Sequence, residues 1–372
     1  MLIKGPIFYT MEELAAHKAS GRASNELLDG LRACAADLIG RPTLKVIDIN
    51  IPRASGDMHD YASFGPYWWP NPDTPDGLPY VRRDGVGNPE AKESIKMGDV
   101  CERLRRLALA AFYFDDMKYA CADSFNLQLY DWFINPETYM NPSAKYAQAI
   151  PGICAGRASG LVDFRSTRNV VNSIAIMSEL GLADGQIVAG VREWFSQFTD
   201  YVLTSEIGIK ARGKKGNHGS SYDAQMLSWA IFCDRDGLAE QICKTAYDTR
   251  VLASIRPDGS QPDELKRTRA INYSLCNLEA LVSIAAMAQR LGHDRYWQTD
   301  TARGECVILS AINFIAPYVM NPKSAPFEEL QTDNLRARAY PIFMSAAKHL
   351  PSSGYLKRAQ ALGAFGMLEP AQ

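Results

Sequence analysis

The 372-residue sequence predicts an all-α protein assembled from antiparallel helical hairpins. Three observations carry that prediction. A succession of segments places apolar residues at three- and four-residue intervals. The two-residue alternation of a β-strand is scarce. No self-similarity at a fixed period marks a regular solenoid. Composition agrees: 47% hydrophobic and 22% charged residues describe a globular chain with a sizeable core. One large helical domain over 1–372 can absorb that length.

In chain order, the helical periodicity covers 11–38, 95–114, 120–133, 168–181, 185–203, 222–248, 274–291, 295–317 and 335–349. The stretch "NLEALVSIAAMAQRLG" is the clearest case. Leu278, Leu281, Ile284 and Ala285 share one face, and Gly292 supplies a stop. Only "LKVIDINIP" at 44–52 offers a strand, and extended chain fits it equally well. Helices of this length joined by polar or Gly/Pro-rich connections form hairpins. Their closure into a complete or incomplete α/α toroid is left open by periodicity alone.

The longest non-helical segment, 51–93, concentrates Tyr61, Tyr67, Trp68, Trp69 and Tyr80 among prolines. A connection of this length is more often functional than decorative. Its aromatic rings suit the apolar faces of sugars, and its prolines stiffen it, so it is expected to form a lid or cleft wall.

Several classes are disfavoured. The net charge of −2 gives no global attraction to nucleic acid or an anionic membrane. No uninterrupted apolar run of about 18 residues announces a transmembrane helix. The N-terminus lacks a signal-peptide core with a cleavage site, which points to the cytoplasm if Met1 is the native start. A chain trimmed of its leader, and so periplasmic or secreted, would read the same. The eight cysteines are scattered without a C-x-x-C pair and are expected to be reduced. "DMHD", with Asp57, His59 and Asp60, lacks further ligands at metal spacing, so neither metal nor cofactor is expected.

Two polar stretches stand out. "KARGKKGNHGSSYDAQ" holds Asn217 and His218 between glycines, after Lys210, Arg212, Lys214 and Lys215. "RPDGSQPDELKRTRAINYSLCNL" holds Lys266, Arg267, Arg269 and Tyr273. An amide, an imidazole, a guanidinium and a phenol can together neutralise a carboxylate and move the proton beside it. Each also has a plain structural reading. Asn217 is a common cap type, the basic run suits a solvated face, and Tyr273 suits a core. Tyrosine with a pKa of about 10 is a poor base at neutral pH, so Arg267 and a cationic His218 are expected to lower it.

The stretches "HDYASFGPYWWPNP", "GLPYVRRDGVGNPE", "YAQAIPGICAGR", "GNHGSSYDAQ" and "DGSQPDELKRTRAINYSLCNL", in that order, resemble the alginate lyase superfamily over roughly residues 5–350. The six-residue interval from Arg267 to Tyr273 is similar to the glucuronan/alginate branch rather than to the strict mannuronate lyases. The resemblance implies an α/α toroid and β-elimination on a uronan. It implies that Asn217, His218 and Arg267 neutralise the uronate carboxylate. Tyr273 would take the carbon-5 proton and protonate the leaving oxygen, with His218 serving as base on the opposite carbon-5 configuration. Arg157 and Gln148 follow as substrate contacts, then Tyr61, His59, Trp68, Tyr222, Lys215 and Arg269. Gly216 departs from the pattern, since many relatives carry a second Asn there, and "SSYD" replaces a more aromatic run.

Alginate and glucuronan stay undecided, as do endo or exo cleavage and oligomeric state. Two other functions remain. A glycoside hydrolase would need an opposed carboxyl pair from among Asp60, Asp84, Asp263 and Glu264. A non-catalytic uronan-binding protein would keep the cleft without the chemistry.

Overall fold

The structure, a computed structural model, describes residues 3–89, 91, 95–363 and 367–372. The described helices, in order, are α1 (Met11–Ala19), α2 (Asn25–Ile39), α3 (Ile95–Tyr113), α4 (Lys118–Phe133), α5 (Thr167–Glu179), α6 (Gly185–Thr204), α7 (Glu206–Arg212), α8 (Gly216–Phe232), α9 (Asp236–Ala246), α10 (Pro262–Leu265), α11 (Ala270–Arg290), α12 (Val307–Met320), α13 (Leu335–His349) and α14 (Tyr355–Ala361). Short strands are confined to β1 (Ala62–Phe64), β2 (Trp68–Trp69), β3 (Val81–Arg82) and β4 (Tyr146–Ala149).

Periodicity located the helices and missed some of their breaks. The 11–38 segment is two helices: the chain turns at Gly21, with φ +64, and Ser24 caps α2 by accepting from the Leu27 amide at 3.3 Å. The 222–248 segment also divides. Here α8 begins six residues early at Gly216, Asp234 takes φ +54 after its end, and α9 follows, continuing into one π-helical stretch over Tyr247–Leu252. Within 295–317 only a 3-10 turn, Arg295–Trp297, precedes a loop pinned by backbone pairing of Asp300 with Glu305 before α12. The strand candidate at 44–52 instead holds the 3-10 turn Val46–Asp48. Its entry is fixed because the Gln128 side chain bonds both the amide and the carbonyl of Leu44, each at 2.9 Å.

The helices form an α/α toroid. An inner series runs α3, α5, α8, α11, α13, each packed on the next, with α4, α6, α9, α12 and α14 outside. Between its first and last members lies the C-terminal segment. Glu369 pairs with Arg105 of α3 at 2.5 Å, and Lys348 of α13 donates to the Ala371 carbonyl at 2.9 Å.

Burial on all sides explains the composition of the inner helices. By length and composition alone α11 is long and apolar enough to cross a membrane, although polar residues interrupt its apolar run. Of its most apolar 18-residue window 83% is buried inside the toroid, and this accounts for its apolarity. Every residue of α8 is buried except His218, the point at which this helix opens to the cleft described next. All eight cysteines are free thiols; Cys101, Cys121, Cys243 and Cys306 are buried.

Candidate active site

A cleft of about 320 Å³ opens where the first turns of α8 and α11 face the 51–93 segment. Asn217, His218, Arg267 and Tyr273 all line it, with Trp68, Gln148 and Arg157. Two chain stretches some fifty residues apart thus supply one wall. Asn217 and His218 lie in the first turn of α8 rather than in a turn preceding a later helix. Arg267 lies between α10 and α11, and Tyr273 is on the first turn of α11.

Glu264 organises the α8 end. Its carboxylate accepts from the Asn217 amide nitrogen at 2.7 Å and from Asn217 Nδ2 at 2.6 Å. A carboxylate only accepts, so the Asn217 side chain must turn its NH₂ toward Glu264, which leaves its second N–H for the cleft. Burial pushes the Glu264 carboxyl up to about 6, although both bonds to Asn217 pull the other way. Glu264 also explains Gly216. That residue has φ +57, and a Cβ there would lie 2.1 Å from Glu264 Oε1.

His218 has no protein partner at either ring nitrogen among the described residues. Burial lowers its pKa to about 4, helped by the positive charges of Lys214, Arg267, Arg157 and Arg165. It is therefore neutral at neutral pH, able to donate from one nitrogen and accept at the other.

Arg267 and Tyr273 are both engaged with the 51–93 segment. Asp84 receives Arg267 Nη2 at 2.9 Å and Nε at 3.1 Å, and Thr268 Oγ1 at 3.1 Å. Burial opposes charge on Asp84, yet Arg267 and Thr268 bring its carboxyl down to about 2. The Arg267 guanidinium lies 4.1 Å from the Tyr273 ring centre. The Tyr273 hydroxyl donates to that of Tyr67 at 2.5 Å. The expected lowering of the Tyr273 pKa does not occur. Burial raises it above 10 and Tyr67 adds to the rise; Arg267 offsets this only in part, and the neutral His218 contributes no charge. Tyr273 rests as a neutral phenol.

The opposite wall is a relay of polar contacts. Gln148, at φ +52, donates from Nε2 to Asp163 at 2.8 Å and accepts at Oε1 from Arg157 Nη2 at 2.7 Å. Arg157 lies 6.0 Å from the Trp68 ring centre, and its buried Nε has no protein partner. Arg165 and the Arg168–Glu279 pair, at 2.5 Å, complete the lining.

Five of the residues expected at substrate lie elsewhere. Tyr61 is 1% exposed, packs against Phe164 and bonds Asp163, so it props the wall from behind. His59 is turned to the Tyr139 carbonyl and ring. Tyr222 and Lys215 line a separate cavity, because their positions on α8 and its cap face away from the cleft. Arg269 is drawn aside by backbone pairing with Glu329. Conversely, sequence reading gave no site role to Arg82 or Arg165, took Tyr67 only as one lid aromatic, and saw Asp84 and Glu264 only as candidate acids. The available signal was Glu264 three residues before Arg267, within a stretch already singled out. Among the described residues no group of three or more His, Cys, Asp or Glu is arranged to hold a metal.

The family described as alginate lyase matches residues 48–325. An alginate lyase structure from Bacteroides ovatus is 32% identical, with 97% of this chain and 96% of that chain covered and a TM-score of 0.89. Alginate lyase A1-III from Sphingomonas species A1 shares the fold at 16% identity, with coverages of 91% and 95% and a TM-score of 0.52. A variant of A1-III complexed with a tetrasaccharide is alike at 15% identity, coverages of 91% and 94%, and a TM-score of 0.53. No curated protein matches by sequence.

Proposed function

This chain belongs to the alginate lyase family and is thereby a polysaccharide lyase, and we propose that it cleaves a β-1,4-linked uronan by β-elimination at the cleft of Asn217, His218, Arg267 and Tyr273. The observation that carries the reading is the convergence of these four side chains on one cleft, with His218 neutral and without a protein partner.

The difficulty of the reaction is removing a proton beside a carboxylate that is already negative. Asn217, His218 and Arg267 offer N–H donors to that carboxylate and to the enolate-like charge that develops on it. Tyr273 then serves both ends of the elimination. Its oxygen takes the carbon-5 proton, and the C5–H electron pair becomes the C4=C5 double bond. The C4–O bond breaks with its pair on the leaving oxygen, which receives the proton of the Tyr273 hydroxyl. Tyr273 must enter this step as the phenolate, its resting proton lost to solvent. It gains the carbon-5 proton, passes it to the leaving oxygen and ends as phenolate, so its raised pKa is a barrier that the Arg267 charge offsets in part. One residue can do both only when proton and leaving oxygen share a face of the ring. Mannuronate and glucuronate meet that condition and differ at carbon-2.

The four carboxyls weighed for a glycoside hydrolase are each held by other groups. Asp84 holds Arg267, Glu264 holds Asn217, Asp263 pairs with Lys266, and Asp60 accepts from Asn141 and Ser55. That favours elimination over hydrolysis. An absorbance screen over polymannuronate, polyguluronate, glucuronan and glycosaminoglycans tests the reading. Ultraviolet-absorbing unsaturated ends are expected from polymannuronate or glucuronan. Saturated products, or turnover of polyguluronate alone, would overturn it.

A further inference from the structure

The basic run before Asn217 and the ring of Tyr222 take no part in the cleft, and they meet in a second cavity. It lies between α8 and α9, measures about 650 Å³ and shares no lining residue with the catalytic cleft. A constriction lined by Lys214, His218 and Tyr222 separates the two.

Its rim is built rather than merely solvated. Arg250 donates to the carbonyls of Arg212 and Lys214, each at 2.9 Å, and its charge is met by Asp223 at 2.7 Å. The backbone of the run is thereby fixed. The side-chain cations of Arg212, Lys214 and Lys215 have no carboxylate within ion-pair distance among the described residues, whereas Lys210 pairs with Glu206. Inside, Ser220 is fully buried and its hydroxyl has no partner, an unmet polar group facing the cavity. Thr245 and Thr249 donate to carbonyls of their own helical stretch, which leaves their oxygens free to accept. Tyr222, Met226 and Ile242 supply an apolar floor. Inorganic phosphate would use the cations and ignore the floor; a neutral sugar would do the reverse. A sugar acid uses both.

We propose that this cavity is a second, non-catalytic site for a short uronate saccharide of the kind the reaction releases. Its carboxylate would be held by Arg212, Lys214 and Lys215, and its ring hydroxyls by Ser220, Thr245 and Thr249. The proposal rests on the uronan reading of the cleft. Because Lys214 and Tyr222 also border the constriction at His218, the bound product sits next to the catalytic wall.

The test titrates the turnover-deficient Tyr273→Phe protein with β-1,4-linked glucuronate and mannuronate trisaccharides by calorimetry. Two classes of site are expected for one of them. Arg212→Glu with Lys215→Glu, both at exposed positions, should weaken one class by at least about tenfold and leave the other, which Arg267→Ala should remove. With Tyr273 restored, the same double substitution should leave initial rates unchanged and relieve inhibition by added trisaccharide. A single class that Arg267→Ala removes and the double substitution spares would overturn the second site and leave the lyase reading standing. Equal binding of inorganic phosphate or of a neutral β-1,4-glucose trisaccharide in the cavity would also overturn it. If neither class appears and no uronan yields unsaturated ends, both readings fall.

Discussion

The two walls of the cleft are built on different principles. The helical wall presents Asn217 and Tyr273, which are 6% and 9% exposed, from the first turns of the two inner helices, α8 and α11. Among its described residues the lid wall, 51–93, is held by short strands, β1 pairing with β4 and β2 pairing antiparallel with β3. It reaches the helical wall through a few polar latches: Tyr67 to Tyr273, and Asp84 to Arg267 and Thr268. Core packing fixes the first wall and replaceable hydrogen bonds hold the second. Groups that must be placed within fractions of an ångström belong on the rigid wall, and a segment that admits a polymer belongs on the latched one. This comparison makes a graded forecast. Substitutions on the helical wall should cost turnover, and those on the lid should cost binding.

The largest effect is expected from Tyr273→Phe, which keeps the buried ring and removes the oxygen proposed to serve both proton transfers. Turnover should fall by about a thousandfold or more, with substrate binding retained and no unsaturated product detected. Substantial residual turnover would remove Tyr273 from the chemistry. His218→Ala and Arg267→Ala follow, each expected to lower kcat/KM by about a hundredfold as a preorganised donor is lost. Wild-type rates in either would break the assignment of that residue.

How far these residues could be read beforehand depends on what fixes them. The period of α13 follows from its own side chains, and its bounds at 335–349 were legible residue for residue. The breaks at Gly21 and Asp234 depend on positive φ angles and local contacts that apolar spacing does not encode. That Asn217, His218, Arg267 and Tyr273 come together in one cleft was legible through the order of their motifs. The directions of Tyr61 and Tyr222 were not, since an aromatic residue near a site reads alike whether it faces the cleft or the core. The roles of Glu264 and Asp84 arise from contacts across 47 and 183 residues of sequence, which only the folded chain supplies.

Glu264 sharpens the comparison through pH. It acts through Asn217 and so belongs to the helical wall, where its ionised form holds the amide in one orientation. Its carboxyl titrates at about 6, above the usual carboxylate range. The proton bound below that value removes one acceptor, so kcat should decline as pH falls through about 6. The same raised pKa makes the folded state the better proton binder between the ordinary glutamate value and about 6. This group's contribution to stability therefore shrinks as pH rises through that window, and the activity loss on acidification is not acid unfolding. Glu264→Gln mimics the protonated form. It should lower kcat about tenfold at neutral pH, the scale of one hydrogen bond to a charged group, and flatten the profile across pH 6. An unchanged acid limb in that variant would show that another group sets it. His218, at about 4, titrates too low to be confused with it.

The smallest effect is the one that separates the walls. Tyr67→Phe keeps the lid's ring and deletes its hydroxyl, the latch to Tyr273. If the lid only gates, one neutral hydrogen bond of about 0.5–1.5 kcal/mol is lost, and KM should rise a few-fold while kcat stays within about twofold. The deletion also removes a contact that raises the Tyr273 pKa, but burial, the larger cause, remains, so the phenol stays neutral near pH 7. Steady-state kinetics on the polymer identified by the absorbance screen separate the two parameters. A fall in kcat approaching that of Tyr273→Phe would place Tyr67 in the proton path. The lid would then contribute to the chemistry, and the division between a reacting wall and a gating wall would fail at this pair of phenols.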